Sequence, residues 1–159
     1  MTAVQIADNF YAAFSNHNSS EMIKLYHDDV IFTDPAFGML KGDRAKKMWE
    51  MLLANSKSEL KIQYEILDTS NEHATVSWTA KYIFGPQRRL VENHVTARLK
   101  IKQGKIVEHH DTFNMWKWSS QALGLSGRLL GWTGFMKKKV QLKTNRALDK
   151  YMNEMTNLK

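Results

Sequence analysis

Asp34, His109 and Asp111 are the residues of this 159-residue chain whose types and spacing best suit chemistry. Asp34 closes the run Val30-Ile31-Phe32-Thr33 and stands directly before Pro35. Proline lacks the N–H that a strand ladder uses and biases the residue before it toward an extended backbone. Alternation along the strand therefore puts Val30, Phe32 and Asp34 on one face, so that a carboxylate continues an apolar row. In a later strand the same alternation puts Val107, His109, Asp111 and Phe113 on one side. Carboxyl groups in apolar surroundings have raised pKa values and suit acid–base work near neutrality, with an imidazole as partner. Each residue also has a plainer reading. Asp34 suits a turn aspartate that accepts from Gly38 or a neighbouring amide. Asp111 suits an acceptor for a Trp, Tyr or backbone N–H, and His109 a satisfied core histidine.

Other chemistries find less support. Glu108-His109-His110-Asp111 has the composition of a metal cluster, but alternation sends His109 and Asp111 one way and Glu108 and His110 the other. No helical HExxH spacing occurs, so neither a metal nor a cofactor is expected. Gly124, Gly127, Gly131 and Gly134 follow no strand and have the wrong spacing for a phosphate loop. Ser119-Ser120 lacks the context of a nucleophile elbow. The absence of cysteine excludes disulfides and thiolate sites. A hydrophobic share of 43% with 25% charged residues fits an ordinary globule. Met1-Thr2-Ala3-Val4-Gln5 shows no basic region leading into an apolar stretch, and no apolar run approaches the ~20 residues of a membrane span. A cytoplasmic protein without a membrane span is expected. The net charge of +7 is uneven. Seven Lys or Arg face two acids from Lys137 to Lys159; a basic helix can bind nucleic acid or an anionic membrane, but this one reads as a solvated face in preference to either.

The elements that must hold these residues are legible from periodicity. Ile6, Phe10, Ala13 and Phe14, with Ala7 and Tyr11, predict a core-facing helix over about 3–16. Asn18-Ser19-Ser20-Glu21 reads as a capping box opening a helix over about 19–27 that turns Met22, Ile23 and Tyr26 inward. The Asp28-Asp29 pair makes a turn into the strand that ends at Asp34. After a loop over 37–42, Asp43 starts a third helix with Ala45, Met48, Trp49, Leu52 and Leu53 on one face. Alternation then takes over. Leu60, Ile62, Tyr64 and Ile66 mark one strand; Ala74, Val76, Trp78, Ala80, Tyr82 and Phe84 mark the next. Val91, Val95, Ala97, Leu99 and Ile101 mark a third, and Gln103-Gly104-Lys105 turns into the last, from Ile106 to about Trp116. Helices followed by hairpin-joined strands predict an α+β fold.

Beyond 116 the chain predicts a short helix from Ser119 to Leu123, an apolar link over 127–132, and a long helix over about 134–156 capped by Thr133. Met136, Val140, Ala147, Tyr151, Met152 and Met155 form its apolar stripe. Trp116, Trp118, Trp132 and Phe135 are too many aromatics to leave in water, so this extension must dock on something. A lid, a dimer contact and an extra packing layer all remain open.

Several stretches together carry a resemblance: Phe10-Tyr11-Ala12-Ala13-Phe14, Leu25 to Val30, Asp34-Pro35, Phe37-Gly38, Leu40-Lys41-Gly42, and Gly104 to Asp111. In order and spacing they resemble the nuclear transport factor 2-like superfamily, which includes ketosteroid isomerases, limonene epoxide hydrolases and SnoaL-like polyketide cyclases. The resemblance covers residues 3–116. It implies a cone: a curved, largely antiparallel mixed sheet with three N-terminal helices over its concave face. The chain is read as a single such domain, 1–159, with 117–159 as its helical extension. By the same resemblance Asp34 stands where ketosteroid isomerases keep their general base. Their tyrosine falls at Phe10, with Tyr11 one residue off, and their protonated acid falls near Val95, where no acid exists. Asp111 matches the last-strand aspartate of the epoxide hydrolases, but their arginine and second aspartate, due around Trp78 to Tyr82, are missing.

The expected function is therefore binding of a small hydrophobic molecule in an apolar pocket lined by Tyr11, Phe14, Tyr26, Phe32, Phe37, Trp49, Trp78, Val95 and Phe113. Cofactor-free acid–base chemistry by Asp34, with Asp111 or His109 as partner, stands beside a non-catalytic binding or interaction module. Thr75, Ser77, Thr79, His94, Thr96 and Arg98 point outward from the sheet and are expected to form a homodimer face.

Overall fold

The structure is a computed structural model and describes residues 1–56 and 59–158. Lys159, counted above in the basic C-terminal excess, lies outside the described residues. Helices α1 (Ala3–Ser15) and α2 (Ser19–Lys24) precede strands β1 (Tyr26–Asp34) and β2 (Gly38–Lys41), and helix α3 (Asp43–Ser56) follows them. Four longer strands follow: β3 (Lys61–Thr69), β4 (His73–Phe84), β5 (Arg89–Lys102) and β6 (Lys105–Thr112). Helices α4 (Met115–Leu123), α5 (Leu125–Leu130) and α6 (Gly134–Asn157) complete the chain.

The six strands form one sheet in the order β2-β1-β6-β5-β4-β3. All neighbours are antiparallel except β1 and β6, which run parallel, so the sheet is mixed. This is the α+β cone expected. Its core is built from the apolar faces of α1 and α3 against the inward rows of the strands; Ile6, Phe10, Phe32, Met48 and Leu99 are almost wholly buried. The caps explain the helix starts. Thr2 and Gln5 form a reciprocal capping box for α1, Asn18 accepts from Glu21 N–H, and Thr133 accepts from Met136 N–H.

Several local expectations need correction. The second helix ends at Lys24, not 27, and Tyr26 opens β1. Asp28 and Asp29 do not separate two elements: the β1–β6 register shifts between Tyr26 and Ile31, so the acidic pair bulges outward within the strand. The segment 37–42 is not all loop, because Gly38–Lys41 pairs back on β1 as β2. Asn114 caps α4 through the Lys117 N–H, which stops β6 at Thr112 rather than Trp116 and starts that helix four residues early. On α3 Met51 is buried as well as Ala45, Met48, Trp49 and Leu53, whereas Leu52 is partly exposed.

The supposed link over 127–132 is largely helical, and its glycines explain why. A Cβ on Gly127 would sit 1.9 Å from Ser119 O, and one on Gly131 would sit 2.7 Å from Ser119 Cβ. Two glycines four apart let α5 cross α4 at backbone distance. The long helix α6 begins where expected, but Leu148 is buried while Ala147 and Met155 are exposed. Its first half joins α4 in a second core of Val91, Trp118, Ala122, Met136 and Val140 over β5. Of the four aromatics expected to dock, only Trp118 does. Trp116, Trp132 and Phe135 stay exposed.

Candidate acid–base cavity

The site begins at the turn between β1 and β2. Asp34 and Gly38 are the last paired residues of the two strands, and Pro35, Ala36 and Phe37 span the gap. Pro35 ends the ladder, and Gly38 takes φ +75°, a conformation that favours glycine. Asp34 Oδ1 accepts the Phe37 N–H at 2.6 Å. The turn's own carbonyls are held from the opposite side by α6. Gln141 Nε2 donates to Pro35 O at 3.1 Å, Thr144 Oγ1 to Ala36 O at 2.8 Å, and Asn145 Nδ2 to Phe37 O at 2.9 Å. Three consecutive carbonyls thus find side-chain donors on one helix, which anchors the Asp34 carboxyl.

That carboxyl lines a cavity of about 420 Å³. Phe14, Phe32, Phe37, Trp49, Trp78 and Phe113 lie on its wall. The extension contributes to it: Trp118 of α4 and Thr144 and Ala147 of α6 are also lining residues. The polar lining residues on the strands are Asp34, Tyr82, Asn93 and Asp111. Tyr11, Tyr26, Val95 and His109 do not line the cavity. Val95 is buried in the sheet opposite Trp78, and the other three form a network behind Asp111.

Hydrogen bonding assigns direction to that network. Trp49 Nε1–H is only a donor and lies 2.8 Å from the Tyr26 oxygen. Tyr26 OH lies 2.7 Å from His109 Nδ1 and His109 Nε2 lies 2.9 Å from Asp111 Oδ1; donation from Tyr26 to Nδ1 leaves the Nε2 proton for the Asp111 carboxylate, the tautomer that satisfies both contacts. Tyr11 OH lies 3.4 Å from the same Nε2. Every ring of this network is buried, and His109 packs edge-on against Phe10 and Phe32 and stacks on Trp49. His109 is therefore a satisfied core histidine that orients Asp111; it does not itself face the cavity.

Electrostatics separates the titratable groups. Burial pushes the Asp34 carboxyl up from 3.8 to about 7; the Phe37 amide opposes this and the Asp111 charge adds to it. Burial also raises Tyr82, with the Trp118 bond opposing and the Asp34 charge reinforcing. Tyr82 therefore stays a phenol beside Asp34. Its oxygen accepts Trp118 Nε1–H at 2.8 Å, which leaves the phenolic proton free for an acceptor in the cavity. Asp34 is thus both a turn acceptor and a desolvated cavity carboxyl, so its two readings are not exclusive. Among the described residues no group of His, Asp and Glu is placed to hold a metal ion.

The SnoaL-like domain family matches residues 7–109. This chain belongs to that family. Solved structures agree on the fold. A putative polyketide cyclase from Pseudomonas putida is 19% identical to this SnoaL-like chain, with a TM-score of 0.64, covering 77% of it and 98% of the cyclase. A Catenulispora acidiphila protein of ketosteroid isomerase-like fold, solved with trimethylamine, is 17% identical at TM-score 0.61, with 83% and 99% covered. An epoxide hydrolase of limonene-epoxide-hydrolase type from M. tuberculosis is 19% identical at TM-score 0.59, with 80% and 95% covered. At these identities the likeness is one of fold. No curated protein matches the sequence.

Sequence reasoning missed Tyr82, Asn93 and Trp118 as cavity residues. Tyr82 was in view on the inward row of β4, and Asn93 falls between Val91 and Val95 on the inward row of β5. A polar residue interrupting an apolar row is the signal that singled out Asp34, and it applied to Asn93 as well. Trp118 had no such signal, because only the packing of α4 on β5 brings it to the cavity.

Proposed function

We propose that this SnoaL-like protein binds a small, mostly apolar molecule carrying a carbonyl group and moves a proton on it, with Asp34 as the base. The observation that carries this reading is a carboxyl, fixed by its turn, on the wall of an aromatic cavity of about 420 Å³ beside a tyrosine whose proton is free to be donated. At pH 7 a carboxyl with its pKa at about 7 is half ionised, the optimum for taking a proton and returning it. Tyr82 O–H would hydrogen-bond the substrate carbonyl as negative charge builds on its oxygen, and the Trp118 N–H behind it strengthens that donation. Asp34 removes a proton from the carbon beside the carbonyl and delivers it elsewhere on the same molecule. Asp111, held by His109, supplies the charge that keeps Asp34 from ionising too easily. Asp34 and Tyr82 are the catalytic residues of this proposal, and His109, Tyr26 and Trp49 position Asp111.

A second reading is supported by the 2.6 Å bond to the Phe37 amide: Asp34 serves the turn alone and the cavity only binds. The two part on a direct assay. Proton NMR in D2O follows exchange and isomerisation of a β,γ-unsaturated cyclic ketone, while native mass spectrometry of protein taken straight from cells identifies any ligand that co-purifies. Catalysed exchange that disappears in Asp34→Asn supports the catalytic reading. A co-purified ligand retained equally by Asp34→Asn, without exchange, supports the binding module. We also propose a cytoplasmic homodimer that pairs through the outer face of the sheet. The short side chains of Thr75, Ser77 and Thr79 and the exposed His94, Thr96 and Arg98 suit that contact.

A further inference from the structure

Residues 114–148 combine two properties. The segment holds seven Lys or Arg and no Asp or Glu, whereas the remaining residues carry sixteen of each sign. All seven (Lys117, Arg128, Lys137, Lys138, Lys139, Lys143 and Arg146) are exposed. The ion pairs among the described residues lie elsewhere, on such residues as Arg44, Lys46, Lys81 and Lys100. Amid these cations stands an exposed apolar cluster: Leu125 at 71%, Leu129 at 62%, Trp132 at 74% and Phe135 at 71%. The cluster is built rather than frayed. Gly127 presses α5 onto Ser119, so Leu125 and Leu129, one turn apart, are left on the outside. Trp132 Nε1 donates to Leu129 O at 3.1 Å, and Trp116 Nε1 to Arg128 O at 3.0 Å, which holds both indoles against α5.

Water is a poor environment for this surface, and a second copy of it is no better, since two segments of charge +7 would have to meet. Anionic lipid headgroups satisfy both halves. Trp and Phe favour the headgroup level of a bilayer, while Lys and Arg are drawn to its negative surface. No helix among the described residues is long and apolar enough to cross a membrane, so the contact would lie on the surface. We propose that α5 and the first half of α6 dock this protein on an anionic lipid bilayer, with Trp132 and Phe135 entering the headgroup layer. The side chains offered to the bilayer, Leu125, Leu129, Trp132 and Phe135, do not line the cavity, and the proposal does not depend on any catalysis there.

The test is flotation of the full chain with vesicles of phosphatidylcholine alone or with about 30% phosphatidylserine. Binding is expected only with the anionic lipid, with a blue shift of tryptophan emission, and should fall at least tenfold when salt rises from about 0.1 to about 0.5 M. Trp132→Ser with Phe135→Ser should weaken it by about tenfold or more. Replacing Lys137, Lys138 and Lys139 by Gln should weaken it about fivefold per lysine. Both variants alter exposed side chains and should melt with the wild type. Absence of binding to phosphatidylserine vesicles would overturn the proposal, as would equal binding to neutral vesicles or binding indifferent to both variants. A self-association lost in Trp132→Ser/Phe135→Ser, without vesicle binding, would overturn it in favour of a second copy.

Discussion

Asp34→Asn removes the charge while preserving shape and the oxygen that accepts the Phe37 amide. Raising a carboxyl from 3.8 to about 7 spans roughly three pH units, and at about 1.4 kcal/mol per unit the ionised form costs about 4 kcal/mol of stability. The sign follows from proton binding. Between about pH 4 and 7 the folded chain retains a proton that the unfolded chain has released, so the contribution of Asp34 is full below pH 4 and lost as pH rises through 7. The asparagine variant lacks this slope. It should gain on the wild type by about 1.4 kcal/mol per unit across that window and level off about 2–4 kcal/mol ahead above it, its amide N–H2 needing a partner of its own. Urea melts of both proteins at about pH 4, 6 and 8 read the difference, in which titrations not coupled to Asp34 cancel. A flat difference, or a variant about 1 kcal/mol less stable at pH 8 as expected for loss of a cap, would refute the desolvation argument. If the cavity is catalytic, exchange by the variant should fall ~10²–10⁴-fold.

Tyr82→Phe should lower exchange activity ~10²–10³-fold, as loss of an oxyanion donor does, and the orphaned Trp118 N–H should lower stability by about 1–3 kcal/mol in the same melts. Gly127→Ala should cost about 1–3 kcal/mol or more, because its Cβ meets Ser119 O at 1.9 Å; Gly134→Ala, with nothing within 4 Å, should be neutral or stabilising by up to about 1 kcal/mol. Thr144→Val leaves Ala36 O without its donor, so stability should fall by about 1 kcal/mol and turnover with it, while a silent variant would show that α6 does not position the Asp34 turn. Sedimentation should give a dimer at micromolar concentration that His94→Glu/Arg98→Glu weakens, and a purely monomeric wild type would count against the sheet-face contact.

What the sequence made legible follows periodicity. Alternation located β3 to β6 and the inward rows, because each strand buries one face; the helical stripes of α1 and α3 were equally plain. β2 was hidden because four residues carry too little pattern, and its pairing depends on the turn that Asp34-Pro35 and Gly38 create. Proline and the strand row brought Asp34 to the cavity, yet the raised pKa comes from neighbours far along the chain, Asp111 among them. Helical spacing turned Tyr11 and Tyr26 inward and strand parity did so for His109, but only three dimensions show that all three stand behind Asp111. The extension was least legible. Its glycines resembled a link until Ser119 was seen pressed against them, and the basic excess was counted from Lys137 although acid-free sequence begins well before α6.

The most direct measurement is a carbon-detected NMR titration of the Asp34 side-chain carboxyl, assigned by comparison with Asp34→Asn. A carboxyl held in this cavity should titrate with a midpoint near pH 7. Binding an apolar ketone should move that midpoint, and Tyr82→Phe should move it too, since the two groups share the cavity. A midpoint below about 4, unmoved by ligand, would mark Asp34 as a solvated turn carboxylate and contradict its assignment as the base.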